Sequence, residues 1–328
     1  MPKISVIVPV YNAEEYIERC ARSLFEQTLD DIEYIFVDDC SIDDSVQILS
    51  FVIKDYPNRQ ANIRLMQHNV NKGPSVTRND GLSVAIGEYV IFCDSDDFIN
   101  LRTYELLYEK AISNNADIVA CGAQVIGADG KLIKQMLFGT DVLYKDSLKL
   151  HDKIEGGIYS STCNKLIKRV FLLEHKITFD ASTVMWEDLY FTLRARFFSA
   201  QMYIVDLPLY NYCMHDGSII NSNVLSKVNS QVKVVQLIES FIIANDCQKE
   251  FSKIISFLKY KAKHNLLEEN FSLWKTIFPE ARKKLFSIRS WHGPILTLKY
   301  FMCSYLGYFG YFVYNTLVHL KFLKINLM

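Results

Sequence analysis

The sequence contains no Cys-x-x-Cys pair, and its eight cysteines follow no regular spacing. That excludes a zinc ribbon and argues against a disulfide framework. Several of the thiols, Cys93 and Cys121 among them, lie inside apolar runs and read as reduced core residues of a cytosolic protein. The N-terminal "MPKISVIVPVY" lacks the long apolar segment of a signal peptide, so no export is expected. Charge of one sign is not in excess either. The 36 Lys and Arg stand against 37 Asp and Glu, a net −1 that argues against nucleic acid as a partner. Internal repeats and low-complexity linkers are absent.

Apolar residues, by contrast, are plentiful. Half of the 328 residues are hydrophobic and 13% aromatic, enough for one large domain with an appendage, or two domains. The charge that exists is unevenly placed. Beyond residue 274, Lys275, Arg282, Lys283, Lys284, Arg289, Lys299, Lys321 and Lys324 are opposed by Glu280 alone, a net +7 that leaves −8 for residues 1–274. A basic, aromatic tail on an acidic body points to an anionic surface as partner.

Over the first hundred residues, short apolar runs alternate with helical patterns. "ISVIVPV", "IEYIFVD", "NIRLMQH" and "EYVIFCD" read as strands, and "AEEYIERCARSLFEQT", "DDSVQILSFVIKDY" and "SVTRNDGLSVAI" as helices. Such alternation predicts an α/β fold with a mostly parallel sheet, whose ligands gather at the carboxyl ends of the strands. Aspartates are concentrated there: Asp38 and Asp39 end the second strand, and Asp94, Asp96 and Asp97 end the fourth. Further on, "ADIVACGAQVI" and "KLIKQML" flank the turn "ADG" and predict a hairpin. "WEDLYFTLRARFF" reads as a helix opening on Glu187 and Asp188, and "MYIVDLPLYNYCMH" as two strands broken at Pro208. Helical periodicity dominates from about residue 222 onward.

The run "FCDSDDF" sets three carboxylates within four positions at the end of an apolar strand. Like charges that close repel, and burying them is costly. A hard divalent cation, Mg²⁺ or Mn²⁺, would relieve the repulsion while keeping water and phosphate oxygens in its shell. The plain alternative is a solvated turn capping a helix near Leu101. An EF-hand is excluded, because neither the glycine nor the terminal glutamate follows at the required spacing.

"SVIVPVYN", "IFVDDCSIDDS", "NKGPSVTRNDGLSVAIGEYVIFCDSDD" and "WEDLYF" occur in this order. Together they resemble the family-2 glycosyltransferases of the GT-A fold, over about residues 3–215. The resemblance implies a Rossmann-like catalytic domain over residues 1–221, with a nucleotide-sugar half to about residue 100 and an acceptor half beyond it. A helical region, residues 222–328, would follow. It also implies transfer of a sugar from a nucleotide donor, a UDP-sugar by preference, to an acceptor hydroxyl with inversion at the anomeric carbon. The aspartate cluster would be the family's D-x-D motif, with Asp94, Ser95 and Asp96 at the nucleotide sugar and Asp96, Asp97 and His215 at the metal. Pro9 and Tyr11 would pack around the nucleotide, Asp39 would accept from the base imide, and Arg78 would reach the nucleotide. Asp188 would be the catalytic base, supported by Glu187, with Asn164 and Lys165 on the acceptor side.

Each assignment has a bland counterpart in the residues themselves. Asp38 and Asp39 could cap a helix, Arg78 could pair with Asp80 or Glu88 on a helix surface, and Glu187 and Asp188 could be a helix-opening acidic pair. "CNKLIKR" could be a solvated basic turn, and a lone His215 is more often structural. Two positions depart from the family's pattern: Cys40 where glycine is common, and Thr77 where alanine is. A sugar nucleotidyltransferase would need a glycine-rich phosphate loop that "PVYNAEE" does not supply, and a receiver-type domain would stop near 120 residues. A non-catalytic membrane-associated scaffold is opposed by the intact set of Asp39, Asp96 and Asp188.

Residues 300–320, "YFMCSYLGYFGYFVYNTLVHL", carry no formal charge and are long enough as a helix to match a bilayer core. Yet Ser304, Tyr308, Tyr311, Asn315 and His319 form a polar stripe. An interfacial helix lying on anionic lipid is therefore expected, ahead of a buried helix closing the catalytic domain and of a true span. With it goes a lipid-linked glycan as acceptor, in assembly of a surface polysaccharide at the inner face of the cell membrane.

Overall fold

A strand buried on both faces has no need of polar alternation, and the apolar runs at the start of the chain become such strands. The computed structural model describes residues 1–149, 157–215, 224–264, 266–282, 309 and 311–313. In chain order the elements are β1 (Ile4–Val10), α1 (Ile17–Phe25), β2 (Ile32–Asp38), α2 (Ser45–Lys54), the single turn α3 (Pro57–Gln60), β3 (Ile63–Gln67), α4 (Pro74–Val84) and β4 (Tyr89–Phe92). They are followed by β5 (Phe98–Ile99), α5 (Thr103–Ser113), β6 (Ile118–Ile126), β7 (Leu132–Met136), β8 (Val142–Tyr144), β9 (Lys165–Lys168), α6 (Arg169–Glu174), α7 (Glu187–Phe198) and β10 (Gln201–Cys213). All belong to the first of two compact units, Met1–Asn223.

The strands form one mixed sheet in the order β3-β2-β1-β4-β9-β6-β10-β5, with β7 beside β6 and β8 beside β10. β3, β2, β1 and β4 run parallel. β9 runs antiparallel to both β4 and β6 and interrupts the parallel run, which resumes between β6 and β10. The expected β6–β7 hairpin is present. At Pro208 the expected break is instead a register shift inside a single strand, β10. Proline removes one ladder donor, and the strand absorbs the loss as a bulge.

Helix α4 lies close on the sheet because its glycine permits it. A Cβ on Gly81 would come within 2.5 Å of Ile7 Cγ2 and 3.3 Å of Val37 Cγ2, so no larger residue leaves α4 this near β1 and β2. The helix also fixes the segment leading into α7. Asn79 Nδ2 donates to Phe179 O and Phe179 N–H donates back to Asn79 Oδ1, both at 2.9 Å. Ser75 Oγ donates to Thr183 O at 2.6 Å. The sequence thus brings the start of α7 to the carboxyl end of the parallel strands, where Val10 pairs with Asp38.

The second unit, Val224–Met328, holds α8 (Val224–Ala244), α9 (Gln248–Lys263) and the short α10 (Leu266–Glu269) and α11 (Phe271–Thr276). Its described core gathers Val228, Tyr260, Leu266, Leu267, Phe271 and Trp274. Most of the 300–320 stretch lies outside the described residues, as do Lys283, Lys284 and Arg289. Of its described residues, Tyr311 stacks on Phe271 with centroids 4.5 Å apart, whereas Phe309 and Phe312 are each 68% exposed. Among the described residues no helix is long and apolar enough to cross a membrane.

Candidate active site

The loops after β1 and β2 hold each other by short reciprocal bonds. Asn12 N–H donates to Ser41 Oγ (3.0 Å), Ile42 N–H to Asn12 Oδ1 (3.0 Å), and Ala13 N–H to Ser45 Oγ (2.7 Å). Between them Cys40 sits at φ +66°, the left-handed region that favours glycine. A residue with a Cβ is disfavoured there by about 1–2 kcal/mol. Tyr11 stands half-exposed at the end of β1, and Pro9 is partly buried within it.

Asp39 is buried and heavily used. Its Oδ1 faces His68 Nδ1 and accepts from Lys72 N–H, and its Oδ2 accepts from Gly73 N–H, each at 2.8 Å. It is not a cap of α2, which begins at Ser45. Burial acts to raise the Asp39 carboxyl, but these donors outweigh it and hold the group below its ordinary value. Asp38 Oδ1 accepts from Ser41 N–H at 3.2 Å and shapes the turn.

The three clustered aspartates meet different partners. Asp97 is 1% exposed; its Oδ2 accepts from the Tyr210 hydroxyl at 2.5 Å and its Oδ1 from Cys213 N–H at 2.8 Å. Asp94 Oδ1 accepts from Arg78 Nη2 at 2.7 Å. Asp96 Oδ2 lies 2.8 Å from His215 Nε2, and Tyr16 packs on the His215 ring. Ser95 is buried between them. Burial, with Asp96 and Asp94 alongside, pushes the Asp97 carboxyl well above the usual range, and burial together with Asp94 raises Asp96. One carboxylate oxygen from each of the three lies within 4.8 Å of the others, a spacing one cation could bridge. With both oxygens engaged, Asp97 acts as the anchor of the loop. Asp96 and Asp94 are the more open of the three.

Among the described residues Arg78 pairs with neither Asp80 nor Glu88, the helix-surface partners its position in the sequence allowed. Its guanidinium is 7% exposed and bridges Asp94 Oδ1 (2.7 Å, from Nη2) and Glu187 Oε1 (3.1 Å, from Nη1), stacked 5.5 Å over Phe179. Its Nε is buried without a hydrogen-bond partner among the described residues. Next to Glu187, Asp188 accepts from Thr162 N–H and Thr162 Oγ1, both at 3.0 Å. Burial raises the Asp188 carboxyl, Arg78 opposing. Burial and the neighbouring Asp188 push Glu187 up to about 7, again against Arg78. Trp186, at φ +65°, turns the chain so that both acids open α7.

Asn164 and Lys165 are not positioned to touch an acceptor, and they are not a solvated turn. Both are at most 1% exposed. Asn164 Nδ2 donates to Cys121 O (2.6 Å) and Ile158 O, while Lys165 Nζ donates to Ile158 O (2.7 Å), Ser161 O and Asn164 Oδ1. They buttress from beneath the segment whose Thr162 holds Asp188. Burial, with Arg196 nearby, brings the Lys165 ammonium down to about 7.

Sequence reasoning passed over Thr162, Tyr210 and His68. The first two act across more than twenty residues of chain and leave no local pattern. His68 follows the last residue of β3 at the sheet's carboxyl edge, and that placement was a usable signal.

With this geometry in place, the comparisons are specific. The model of the family "Glycosyl transferase family 2" matches residues 5–174. The putative glycosyltransferase EpsH of Bacillus subtilis is 31% identical over 282 residues, covering 84% of this chain and 78% of EpsH. The poly(ribitol-phosphate) beta-N-acetylglucosaminyltransferase TarS of Staphylococcus aureus is 29% identical over 253 residues, 76% of this chain but 42% of TarS. The crystal structure of TarS 1-349 in complex with UDP-GlcNAc superposes with a TM-score of 0.70 at 21% identity, covering 97% of this chain and 92% of that one. The mannosyltransferase PcManGT of Pyrobaculum calidifontis, in complex with GDP-Man and Mn²⁺, gives 0.56 at 16% identity, covering 96% and 83%.

Removing the central cation gives a test of this geometry. Arg78→Met keeps bulk over Phe179 but leaves Asp94 and Glu187 uncompensated, and should lower stability in urea unfolding by about 3–5 kcal/mol at pH 8. Without the guanidinium, burial and Asp188 act on Glu187 against only a backbone N–H, so its carboxyl should rise above about 7. A raised carboxyl is neutral in the fold below that value, so the loss should shrink at pH 5.5. A loss of equal size at both pH values would mean that Arg78 acts through packing alone.

Proposed function

Because this chain belongs to glycosyltransferase family 2, we propose that it moves a sugar from a UDP-sugar to a hydroxyl of a lipid-linked glycan in one displacement, with inversion at the anomeric carbon. It is a glycosyltransferase of the GT-A fold. The observation that carries the finer reading is the Arg78 bridge, which ties the aspartate loop after β4 to the acidic pair opening α7. A sugar donor at the first and an acceptor at the second would be held on opposite sides of one anomeric carbon.

Residues 1–100 form the nucleotide-sugar half in this reading, residues 101–221 the acceptor half, and residues 222–328 a helical appendage. Pro9, Tyr11 and Asp39 hold the base, whose imide N–H donates to the acceptor site still open on Asp39. A uracil supplies that N–H. Asp94, Ser95 and Asp96 face the diphosphate. Asp188 takes the proton of the acceptor hydroxyl as the oxygen bonds to the anomeric carbon and the bond to UDP breaks. Its raised carboxyl makes it a stronger base, and Thr162 fixes its orientation. Glu187, held by Arg78, supports it.

The cluster's chemistry fits a divalent ion: three oxygens converge and burial raises two of the three carboxyls. Mn²⁺ or Mg²⁺ bound there through Asp96, with Asp94, Asp97 and His215 around it, would stabilise charge on the leaving diphosphate. The acceptor reading is supported by relatives named as poly(ribitol-phosphate) sugar transferases and by the basic tail. Buried thiols and that tail support a cytoplasmic enzyme at the inner face of the cell membrane. The exposed Phe309 and Phe312 are the described part of the surface that would meet lipid.

Asp188→Asn keeps shape and removes basicity, so kcat should fall by about 10²- to 10⁴-fold with UDP affinity little changed. Activity requires the deprotonated carboxylate, so the wild-type acid limb of kcat should lie above the ordinary carboxylate range. Loss of UDP binding with intact turnover of the bound complex would reassign Asp188.

Asp96→Ala should weaken UDP binding in Mn²⁺ about tenfold or more, and chelator should do the same to the wild type. Asp97→Ala should instead lower thermal stability, because Tyr210 and Cys213 lose their buried acceptor. UDP affinity indifferent to chelator would remove the metal from this reading.

Flotation with liposomes tests the tail. Binding to anionic vesicles should exceed binding to neutral ones and weaken with salt, since charge attraction is screened while apolar contact is not. Equal failure to float on both would end the membrane proposal.

A further inference from the structure

His68 carries a set of contacts that no part of the transfer chemistry uses. Its backbone N–H donates to Asp38 O at 2.8 Å, and its side chain is 6% exposed. Nδ1 lies 2.8 Å from Asp39 Oδ1 and Nε2 lies 2.9 Å from Asp80 Oδ2. Only a ring protonated on both nitrogens donates to both carboxylates. Asp80 also receives Lys72 Nζ at 3.3 Å, and it stands two residues after Arg78 on α4. The ring therefore joins the loop after β2 to the helix that carries the Arg78 bridge.

The count of lone pairs at Asp39 gives this joint a purpose. A carboxylate has about four acceptor sites. His68 and Lys72 N–H take two on Oδ1, and Gly73 N–H takes one on Oδ2, which leaves one on Oδ2. The two backbone donors belong to the loop before α4 and grip one oxygen each. The imidazole, itself clamped by Asp80, adds the one side-chain contact from the end of β3 and fills the second site on Oδ1, so that the site left open lies on Oδ2.

We propose that His68 is a positioning residue for recognition of the nucleotide base: held between Asp39 and Asp80, it orients the Asp39 carboxylate so that its open Oδ2 site meets an imide N–H. The inference rests on the reading of Asp39 as the base contact. His68 touches neither the diphosphate nor the reacting atoms, so its effect should be confined to ligands that carry the base.

Titration calorimetry of the full chain with UDP and, separately, with pyrophosphate, both in Mn²⁺, reads this directly. His68→Gln, whose amide reaches as Nε2 does and leaves Asp39 without its side-chain partner, should weaken UDP about tenfold and pyrophosphate less than about twofold. His68→Asn, whose amide sits where Nδ1 did, should recover most of the loss. Equal weakening of both ligands would make His68 a merely structural residue, and unchanged UDP affinity in a folded His68→Gln would overturn the proposal. Asp39→Asn separates the two layers. If it leaves UDP affinity intact, the base contact itself is wrong. If it weakens UDP while His68→Gln does not, only the role of His68 falls.

Discussion

The two-handed grip of Arg78 is the constraint on which the rest of the site depends. One guanidinium nitrogen holds Asp94 in the loop after β4, and another holds Glu187 at the start of α7. These elements are more than ninety residues apart in sequence, and each begins or ends with acids that would otherwise drive them apart. Coulomb attraction between partly buried charges is worth far more than the same pair in water. Removing Arg78 leaves both acids without their cation, so the arrangement depends on that one side chain. The helix that carries Arg78 sits close on the sheet because of Gly81, and it grips the approach to α7 through Ser75 and Asn79. Nearly every residue of "SVTRNDG" thus has a spatial partner.

Much of the fold was legible because it follows from local pattern. Apolar runs covered on both faces gave β1, β2 and β4, helical spacing gave the crossovers, and the turn "ADG" gave the β6–β7 hairpin. Pro208 was misread because a missing N–H looks the same in sequence whether a strand stops or bulges around it. The insertion of β9 against its neighbours β4 and β6 was not legible either, since "KLIK" is too short to show what it pairs with. Strand order is a tertiary fact.

The site was legible in its acids and opaque in their partners. Carboxylates crowded at strand ends stand out because their repulsion demands an explanation. The groups that answer it are ordinary residues far along the chain: Thr162 for Asp188, Tyr210 and Cys213 for Asp97, His68 for Asp39. Asn164 and Lys165 illustrate the opposite error. A polar pair beside a basic residue suggests contact with sugar hydroxyls, yet full burial turns both toward backbone carbonyls. Cys40 was noticed as a departure, and its positive φ gives the physical content of that departure.

Each of the crowded acids Asp94, Asp96 and Asp97 has its own partner in the protein. Asp97 is met by a hydroxyl and a backbone N–H, Asp94 by a guanidinium and Asp96 by an imidazole. A divalent ion entering the cluster must share Asp94 with Arg78 and Asp96 with His215, or use the lone pairs those contacts leave. Such sharing weakens the pull of the protein alone on the ion, whereas diphosphate oxygens add ligands of the same hard kind. Metal and nucleotide would then bind each other's complex more tightly than the bare protein, as linkage requires. The contacts that already occupy part of each acid are also what would make metal binding depend on the sugar donor.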